Sequence, residues 1–319
     1  MGWRKEGVSG RFGTGRSGSC EPAPFHPASG FEAYDPAMSG PDRDYVLGTH
    51  DAEIERLGLQ HRVWRERVLD AWRRAGFAAG QTLVDVGSGP GYAALDLAAI
   101  VGTGGRVLAL ERSRRFLDAL EAERRRRDLP KLETHAVDFD LDPLPPIVAD
   151  GAWCRWILAF VKEPRRLLTR LAAILRPGAP LVLHEYFDYG TWRLLPRSPE
   201  IEEFVRLVID TWRESGGEPD VGCDLPHWLH ETGFAVLSVR PIVDVVGPGD
   251  PIWSWPHSFV EVGLRRLVDL GRLDEARARA IAAAIAARRS DPRALMCTPA
   301  VLEVIAVRGD SPVPAASSA

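Results

Sequence analysis

Short β-rich runs alternate with helix-like segments through the first half of this chain. Runs such as TLVDVG, RVLALE and PLVLHEY are apolar at consecutive positions, and segments such as YAALDLAAIV between them have the Ala/Leu content and apolar spacing of helices. Strands that do not alternate apolar and polar residues are typical of a parallel sheet covered by helices on both faces. The pattern therefore predicts an α/β fold.

The later half of the chain is less regular. The strand-like runs AVLSVRPIVDVV and VLEVIAVR are separated by about 50 residues, far beyond the length of a hairpin loop. The intervening sequence has helical character and predicts an insertion at about 249–295 that packs on the sheet domain. A second irregular stretch, at about 187–224, is expected to be another substrate-side insertion.

Composition places the chain among globular proteins. It has 319 residues, 45% of them hydrophobic, and a net charge of −4, so no overall positive field favours nucleic acid. No apolar run is long enough to span a bilayer, and the N-terminus lacks the apolar core of a signal peptide. Four scattered cysteines argue against a disulfide framework and a zinc site. We expect a cytoplasmic protein without a metal.

Both ends of the chain resemble tails. Residues 1–40 are rich in Gly, Ser and Pro and have no apolar periodicity, and residues 309–319 have a similar composition. We expect these two segments to be disordered, with Met38 as the natural start. The domain is then expected at 41–308, with a cofactor-binding part at 41–190. The oligomeric state stays open, a homodimer included.

A glycine turn follows the first strand-like run. The sequence Val84-Asp85-Val86-Gly87-Ser88-Gly89-Pro90-Gly91 joins a strand to a helix, at the sheet edge where open α/β folds bind ligands. A dinucleotide-binding turn needs GxGxxG, but here Tyr92 stands at the third glycine position and Pro90 removes an N–H. Asp85 would repel a phosphate and attract an ammonium group. The turn thus favours a ligand without phosphates over a nicotinamide cofactor.

Two more acidic residues are expected at the ends of the next strands. Glu111 closes the second strand, where such folds place a ribose-binding carboxylate. Asp138 is expected to end the third strand, and Phe139 beside it offers an apolar surface to a base. Acids at the carboxyl ends of three successive strands, together with the glycine turn, predict a nucleoside-binding site.

The series DVGSGPG, LALE, VDFD and RPGAPLVLHEY resembles the motifs of class I S-adenosylmethionine-dependent methyltransferases. It is most similar to the branch of ubiquinone/menaquinone C-methyltransferases and small-molecule methyltransferases, over roughly residues 45–189. The resemblance implies a Rossmann-like seven-stranded sheet whose last strand is antiparallel, and S-adenosyl-L-methionine as cofactor. The cofactor-binding residues that it implies are Tyr45, Asp85, Gly87, Ser88, Gly89, Gly91, Glu111, Asp138, Phe139 and Arg155.

Candidates for acceptor chemistry follow the fifth strand-like run. His184 and Tyr186 are the candidate catalytic residues, and alternation along the strand points Glu185 to the other face. A structural role for His184 in packing is an alternative. The expected residues of the acceptor pocket are Tyr189, Trp192, Trp253, Trp255 and His257.

The sequence thus predicts an enzyme that moves a methyl group from S-adenosylmethionine to oxygen, nitrogen or carbon of a small organic acceptor by in-line displacement. No Asn/Asp-Pro-Pro-aromatic motif follows the fourth strand, which argues against methylation of DNA bases or of glutamine. Two alternatives stay open. One is a non-catalytic protein that binds the same cofactor, and the other is a nicotinamide-dependent oxidoreductase.

Overall fold

The computed structural model describes residues 51–310. The predicted N-terminal tail, Tyr45, and most of the predicted C-terminal tail lie outside these residues. The described strands are β1 (Thr82–Val86), β2 (Arg106–Glu111), β3 (Leu132–Ala136), β4 (Gly151–Arg155), β5 (Pro180–Asp188), β6 (Arg193–Leu195), β7 (Phe234–Ile242), β8 (Val245–Val246), β9 (Leu295–Cys297) and β10 (Ala300–Arg308). The described α-helices are α1 (Asp51–Ala75), α2 (Tyr92–Val101), α3 (Arg114–Arg126), α4 (Pro164–Ile174), α5 (Pro199–Glu214), α6 (Leu225–Glu231), α7 (Ser254–Asp269) and α8 (Glu275–Arg289).

Seven strands form the central sheet in the order β3-β2-β1-β4-β5-β10-β7. The strands β1 to β5 pair in parallel, whereas β10 pairs antiparallel with both β5 and β7. The expected seven-stranded sheet with an antiparallel last strand is therefore confirmed. The order reverses at β1, which places the end of β1 at the point where ligands bind in such sheets.

Apolar residues cover both faces of the sheet, as the unbroken apolar strands predict. One face packs against α1, α2, α5, α7 and α8, with Trp64, Trp72 and Phe204 fully buried in that layer. The other face packs against α4 and α6 through leucines such as Leu171 and Leu229. None of the helices within residues 51–310 is long and apolar enough to cross a membrane.

The two less regular stretches contain more structure than their sequences suggest. The stretch at 187–224 contains the sixteen-residue helix α5. The insertion at 249–295 consists mainly of α7 and α8, as expected. The short strands β6, β9 and β8 form a separate three-stranded sheet. Its strands have two or three residues each, too few to show periodicity.

Candidate functional site

Three glycines with positive φ form the turn between β1 and α2. Their φ angles are 72° at Gly87, 54° at Gly89 and 89° at Gly91. Residues other than glycine rarely adopt this region of backbone conformation. A Cβ at Gly87 would lie 2.0 Å from Ile157, and one at Gly91 would lie 2.1 Å from Leu120. At Gly89 the nearest protein atom would be 3.9 Å away. Gly87 and Gly91 thus allow close packing, while Gly89 leaves its side of the turn open.

A cleft that is partly open to solvent lies against this turn and is called the glycine-turn cleft below. Residues from α1, from the ends of β1 and β2, and from β4 and the loop after it surround the cleft. Its lining consists of Leu57, Gln60, His61, Asp85, Gly87, Ser88, Gly89, Pro90, Tyr92, Ala93, Glu111, Phe116, Trp153, Arg155, Trp156 and Ile157.

Glu111 ends β2 and holds the turn in place. Its Oε2 accepts a hydrogen bond of 2.9 Å from the N–H of Gly89, and its Oε1 accepts one of 2.8 Å from the N–H of Ser113. Burial raises the pKa of Glu111, and the backbone N–H donors partly oppose that shift. Each carboxylate oxygen accepts more than one hydrogen bond. Glu111 can therefore stabilise the turn and still accept hydroxyl groups of a ligand.

Asp85 and Arg155 place opposite charges in the cleft. Oδ2 of Asp85 and Nη1 of Arg155 are buried and have no hydrogen-bond partner within residues 51–310. Burial raises the pKa of Asp85 to about 7 although Arg155 opposes the shift, and burial lowers the pKa of Arg155 to about 10. Unpaired buried charges are costly. The pair is suited to a ligand with both an ammonium and a carboxylate, such as the amino-acid end of S-adenosylmethionine.

His61 on α1 connects this pair to Asp96 on α2. Its Nε2 lies 3.1 Å from Oδ2 of Asp96, and its Nδ1 lies 3.5 Å from Nη2 of Arg155. Because a carboxylate only accepts and a guanidinium only donates, Nε2 carries the proton and Nδ1 accepts. Burial lowers the pKa of His61, which favours this neutral form. His61 therefore orients Arg155 in the cleft.

A second, smaller cavity, partly open to solvent, adjoins the cleft. Seven aromatic residues in its lining are called the aromatic box below: Trp156, Phe160, Tyr186, Tyr189, Trp212, Trp255 and Phe259. Three rings are nearly parallel. Trp156 lies 5.4 Å from Tyr186 and 5.6 Å from Trp255 between ring centroids, and the interplanar angles are 13° and 12°. Such surfaces suit a flat apolar ligand.

Gln60 and Trp156 line both cavities. Gln60 belongs to α1, and Trp156 follows β4 with a φ of +53°, an unusual angle for a bulky residue. The N–H of Trp156 donates to the carbonyl of His184, and its ring lies 4.9 Å from the guanidinium carbon of Arg155. These contacts hold the indole ring between the cleft and the aromatic box. The two cavities are thus neighbours with a shared wall.

Six of the ten predicted cofactor residues line the cleft, and three others that the structure describes do not. Gly91 lies outside the lining because its Cα packs against Leu120. Asp138 and Phe139 are outside it as well, since β3 ends at Ala136 and not at Asp138. Instead, Asp138 accepts a hydrogen bond from the N–H of Asp140 within its own loop. Tyr45 lies outside the described residues.

His184 is not brought to either cavity. It is fully buried in β5, its Nε2 lies 3.2 Å from Oε2 of Glu303 on β10, and Glu303 also binds Arg74 at 2.5 Å. The rings of Trp64 and Trp153 pack against its imidazole. The structure thus corrects the expectation that His184 faces the acceptor, and it agrees with the packing alternative.

The other predicted acceptor residues divide into two groups. Tyr186, Tyr189 and Trp255 belong to the aromatic box. Trp192, Trp253 and His257 do not line that cavity. Trp192 is buried between Tyr189 and Phe204, Trp253 is buried, and His257 bonds Arg289 of α8 at 3.0 Å. Trp192 and His257 thus contact other elements of the insertions and not the acceptor cavity.

Sequence reasoning missed the contribution of α1 to both cavities. Arg56, Gln60 and His61 read as the polar side of an amphipathic helix, and only the packing of α1 over the sheet turns them toward the site. Within residues 51–310, no three His, Cys, Asp or Glu side chains cluster closely enough to bind a metal ion.

Comparison with known proteins places this geometry in a family. A family profile described as a methyltransferase domain matches residues 84–183. The chain is 32% identical over 217 residues to a demethylmenaquinone methyltransferase of Renibacterium salmoninarum, which covers 62% of this chain and 84% of that protein. It is 31% identical over 170 residues to an uncharacterized 37.1 kDa protein in transposon TN4556 of Streptomyces fradiae. That match covers 52% of this chain and spans about half (47%) of that relative's length.

A solved structure shares the fold. A Galdieria sulphuraria protein, assigned as a sarcosine dimethylglycine methyltransferase, superposes with a TM-score of 0.52 at 13% identity. The superposition covers 77% of this chain and 85% of that one. The sheet order, the glycine turn and the extent of the Renibacterium match agree with one another. The chain belongs to the class I S-adenosylmethionine-dependent methyltransferases.

Proposed function

We propose that this chain methylates a flat aromatic small molecule, bound in the aromatic box, with S-adenosylmethionine bound in the glycine-turn cleft. The observation that carries the proposal is the shared wall of the two cavities, formed by Gln60 and Trp156. A methyl donor and an acceptor must lie in adjacent sites with the reacting atoms in line. The cofactor supplies an electrophilic methyl group on a sulfonium.

The residues of the cleft suit the cofactor group by group. Asp85 would accept from the ammonium and Arg155 would bind the carboxylate, which supplies a partner for each buried atom that lacks one. Glu111 would bind the ribose hydroxyls through the lone pairs that Gly89 and Ser113 leave unused. The open side of Gly89 gives the ligand room to approach the backbone.

The ring planes of the aromatic box support the proposal of a flat aromatic acceptor. Trp156, Tyr186 and Trp255 present nearly parallel ring planes, with an angle of 2° between Tyr186 and Trp255. The Renibacterium relative is named as a demethylmenaquinone methyltransferase, an enzyme that acts on a quinone. Offset stacking contributes about 0.5–1.5 kcal/mol for each aromatic pair beyond the burial of its area. The aromatic box would therefore orient a flat acceptor as well as bind it.

Alignment is the main work left to the protein in this reaction. Orientation of two bound reactants contributes roughly 7–11 kcal/mol to a reaction of this type. The residues that line the second cavity include no Asp, Glu or His. Burial raises the pKa of Tyr189, which keeps its hydroxyl protonated and able to donate. The site thus supports an in-line displacement that depends on position more than on a general base.

Two tryptophans of the insertion test whether the aromatic box binds the acceptor while the glycine-turn cleft binds the cofactor. Trp255 belongs to the aromatic box, whereas Trp253 is buried outside it, so Trp253→Leu is a matched control for Trp255→Leu. We expect Trp255→Leu to lower turnover of 1,4-naphthohydroquinone at least about tenfold, with S-adenosylhomocysteine affinity unchanged, and Trp253→Leu to affect mainly thermal stability. Equal losses of turnover in the two folded variants would contradict the proposal.

The alternatives make different predictions in the same assay. A non-catalytic cofactor-binding protein would bind S-adenosylhomocysteine and form none of it from S-adenosylmethionine with any aromatic acceptor. A nicotinamide-dependent oxidoreductase is not proposed, because the chain belongs to a methyltransferase family and Tyr92 replaces the third glycine. Calorimetric titration with NADH checks this directly, since measurable binding would contradict our assignment of the cleft.

A further inference from the structure

Gln60 is held in one orientation by a buried ion pair on its own helix. Nε and Nη2 of Arg56 each donate to Glu53 at 2.7 Å, and Nη1 of Arg56 donates to Oε1 of Gln60 at 3.2 Å. All three side chains are more than nine-tenths buried. A guanidinium has only donors, so the Gln60 atom that faces it must be the amide oxygen. The amide nitrogen therefore occupies the other branch of the side chain.

Two donors at the shared wall are left without partners. Nε2 of Gln60 makes no hydrogen bond within residues 51–310, where its amide bonds only through Oε1. Nε1 of Trp156 is buried and also lacks a partner in this part of the chain. Both residues line the cleft and the aromatic box. A buried donor without a partner, as Nε1 of Trp156 is, costs about 1–3 kcal/mol, so a ligand that accepts from it gains affinity. Nε2 of Gln60 offers a second donor to the same ligand atom.

The chemistry of these donors discriminates between acceptor classes. An oxygen can accept a hydrogen bond and keep a lone pair for reaction, whereas an amine nitrogen has one lone pair and would lose it to the donor. An alkylamine would also enter protonated, and the lining of the second cavity has no carboxylate or imidazole to remove that proton.

We infer that Gln60, fixed by Arg56 and Glu53, acts with Trp156 to select acceptors that present an oxygen at the shared wall, namely phenols and hydroquinones in preference to amines. The inference rests on the proposed function and specifies its substrate class. For a phenol, the acceptor oxygen forms a bond to the methyl carbon as the carbon–sulfur bond breaks. The electron pair stays on sulfur and the hydroxyl proton leaves to water. For a hydroquinone, the same donors would stabilise the ring oxygen while either an oxygen or a ring carbon is methylated. Methylation at carbon forms the carbon–methyl bond as the carbon–sulfur bond breaks, and the hydrogen on that ring carbon then leaves as a proton to water.

The test compares probes that share one ring frame. Formation of S-adenosylhomocysteine is followed with 2-naphthol, 1,4-naphthohydroquinone and 2-naphthylamine, and binding of each probe is measured calorimetrically in the presence of S-adenosylhomocysteine. The variants are Gln60→Glu, which keeps an acceptor for Arg56 and removes the donor, and Gln60→Leu. Glu66→Gln, at an exposed position of α1, is the control.

We expect the wild type to use the oxygen probes at least tenfold better in kcat/KM than the amine. In both Gln60 variants, assayed at saturating S-adenosylmethionine, this preference should fall about tenfold, and Glu66→Gln should behave as wild type. An unchanged preference in folded Gln60 variants would overturn the inference alone. If no naphthyl probe bound or reacted with the wild type, the proposed function would be overturned, and the inference with it.

Discussion

Asp85 and Arg155 face the same cleft from neighbouring parallel strands, and each has one buried polar atom that no group within residues 51–310 satisfies. Paired opposite charges usually satisfy each other in a protein interior. Here the unsatisfied atoms remain available to a ligand that carries both charges. We therefore expect the binding of the cofactor's amino-acid end to depend more strongly on pH than the binding of its other groups.

The first prediction concerns Asp85. Its pKa of about 7 means that the carboxylate is lost as the pH falls below neutrality. The affinity for S-adenosylhomocysteine should therefore decrease from pH 8 to pH 6. Asp85→Asn should weaken binding about tenfold at pH 8, about 1.4 kcal/mol, and flatten this dependence. Calorimetric titration measures both effects, and the exposed Asp118→Asn is the control. A flat wild-type profile would contradict the assignment.

The second prediction separates Glu111 from Asp138. Glu111 lines the cleft and holds Gly89, whereas Asp138 lies outside the lining. Glu111→Ala should weaken S-adenosylhomocysteine binding about tenfold or more, because a charge-assisted hydrogen-bond acceptor is lost. Asp138→Asn should change the affinity less than about twofold. A larger loss in Asp138→Asn would mean that the loop after β3 closes over the ligand.

The third prediction concerns His184. Removal of its imidazole would leave Glu303 without one of its two partners and would create a cavity beside Trp64 and Trp153. We expect His184→Ala to lower the free energy of unfolding by about 3 kcal/mol without changing the affinity for S-adenosylhomocysteine. Urea denaturation and calorimetry test the two parts. His184→Gln, which can still donate to Glu303, should lose less stability.

The fourth prediction uses Glu185 as a buried titrating group. Its Oε1 accepts from the N–H groups of Ile157 and Leu158, yet burial raises its pKa from 4.5 to about 7. Between these values the folded state binds a proton that the unfolded state does not bind, so stability should fall as the pH rises from 4.5 to about 7. Glu185→Gln keeps an acceptor and removes the titration.

Denaturation curves at several pH values check this prediction. The slope of unfolding free energy against pH in this window should be smaller in Glu185→Gln than in the wild type. Asp85→Asn should reduce the same slope, since the pKa of Asp85 is raised in the same direction. An identical slope in Glu185→Gln would show that Glu185 is ionised throughout the range.

Local sequence signals predicted the sheet and the glycine turn well. The turn has its glycines at positions where φ is positive, and Glu111 ends β2 as the sequence indicates. Both features depend on adjacent residues, which is why a single sequence reveals them. The end of β3 was misplaced, because the strand-like run ETHAVDF continues through Val137 and Asp138 after the ladder with β2 has ended.

The acceptor side could not be predicted in the same way. Trp253 and Trp255 are two residues apart in one aromatic segment, yet only Trp255 reaches the aromatic box, because the chain begins α7 between them. Gln60 acquires its orientation from Arg56, and its place in the site from the packing of α1 over the sheet. Such features depend on how separate elements meet, which neither periodicity nor motif spacing encodes.

The position of β10 in the sheet affects the order in which the two cavities can form. The strands that carry the glycine-turn cleft pair among themselves within residues 82–188. In the described part of the chain, β7 pairs only with β10, and β10 joins the sheet through β5 by contacts between distant segments such as Val307 with Pro180. Contacts between distant segments form slowly because loop closure has an entropic cost. During refolding we expect amide protection of β1 and β4 to precede that of β7. A refolding chain would then form the strands of the glycine-turn cleft before the rest of the sheet is complete. Pulsed hydrogen exchange can measure the order of these two events.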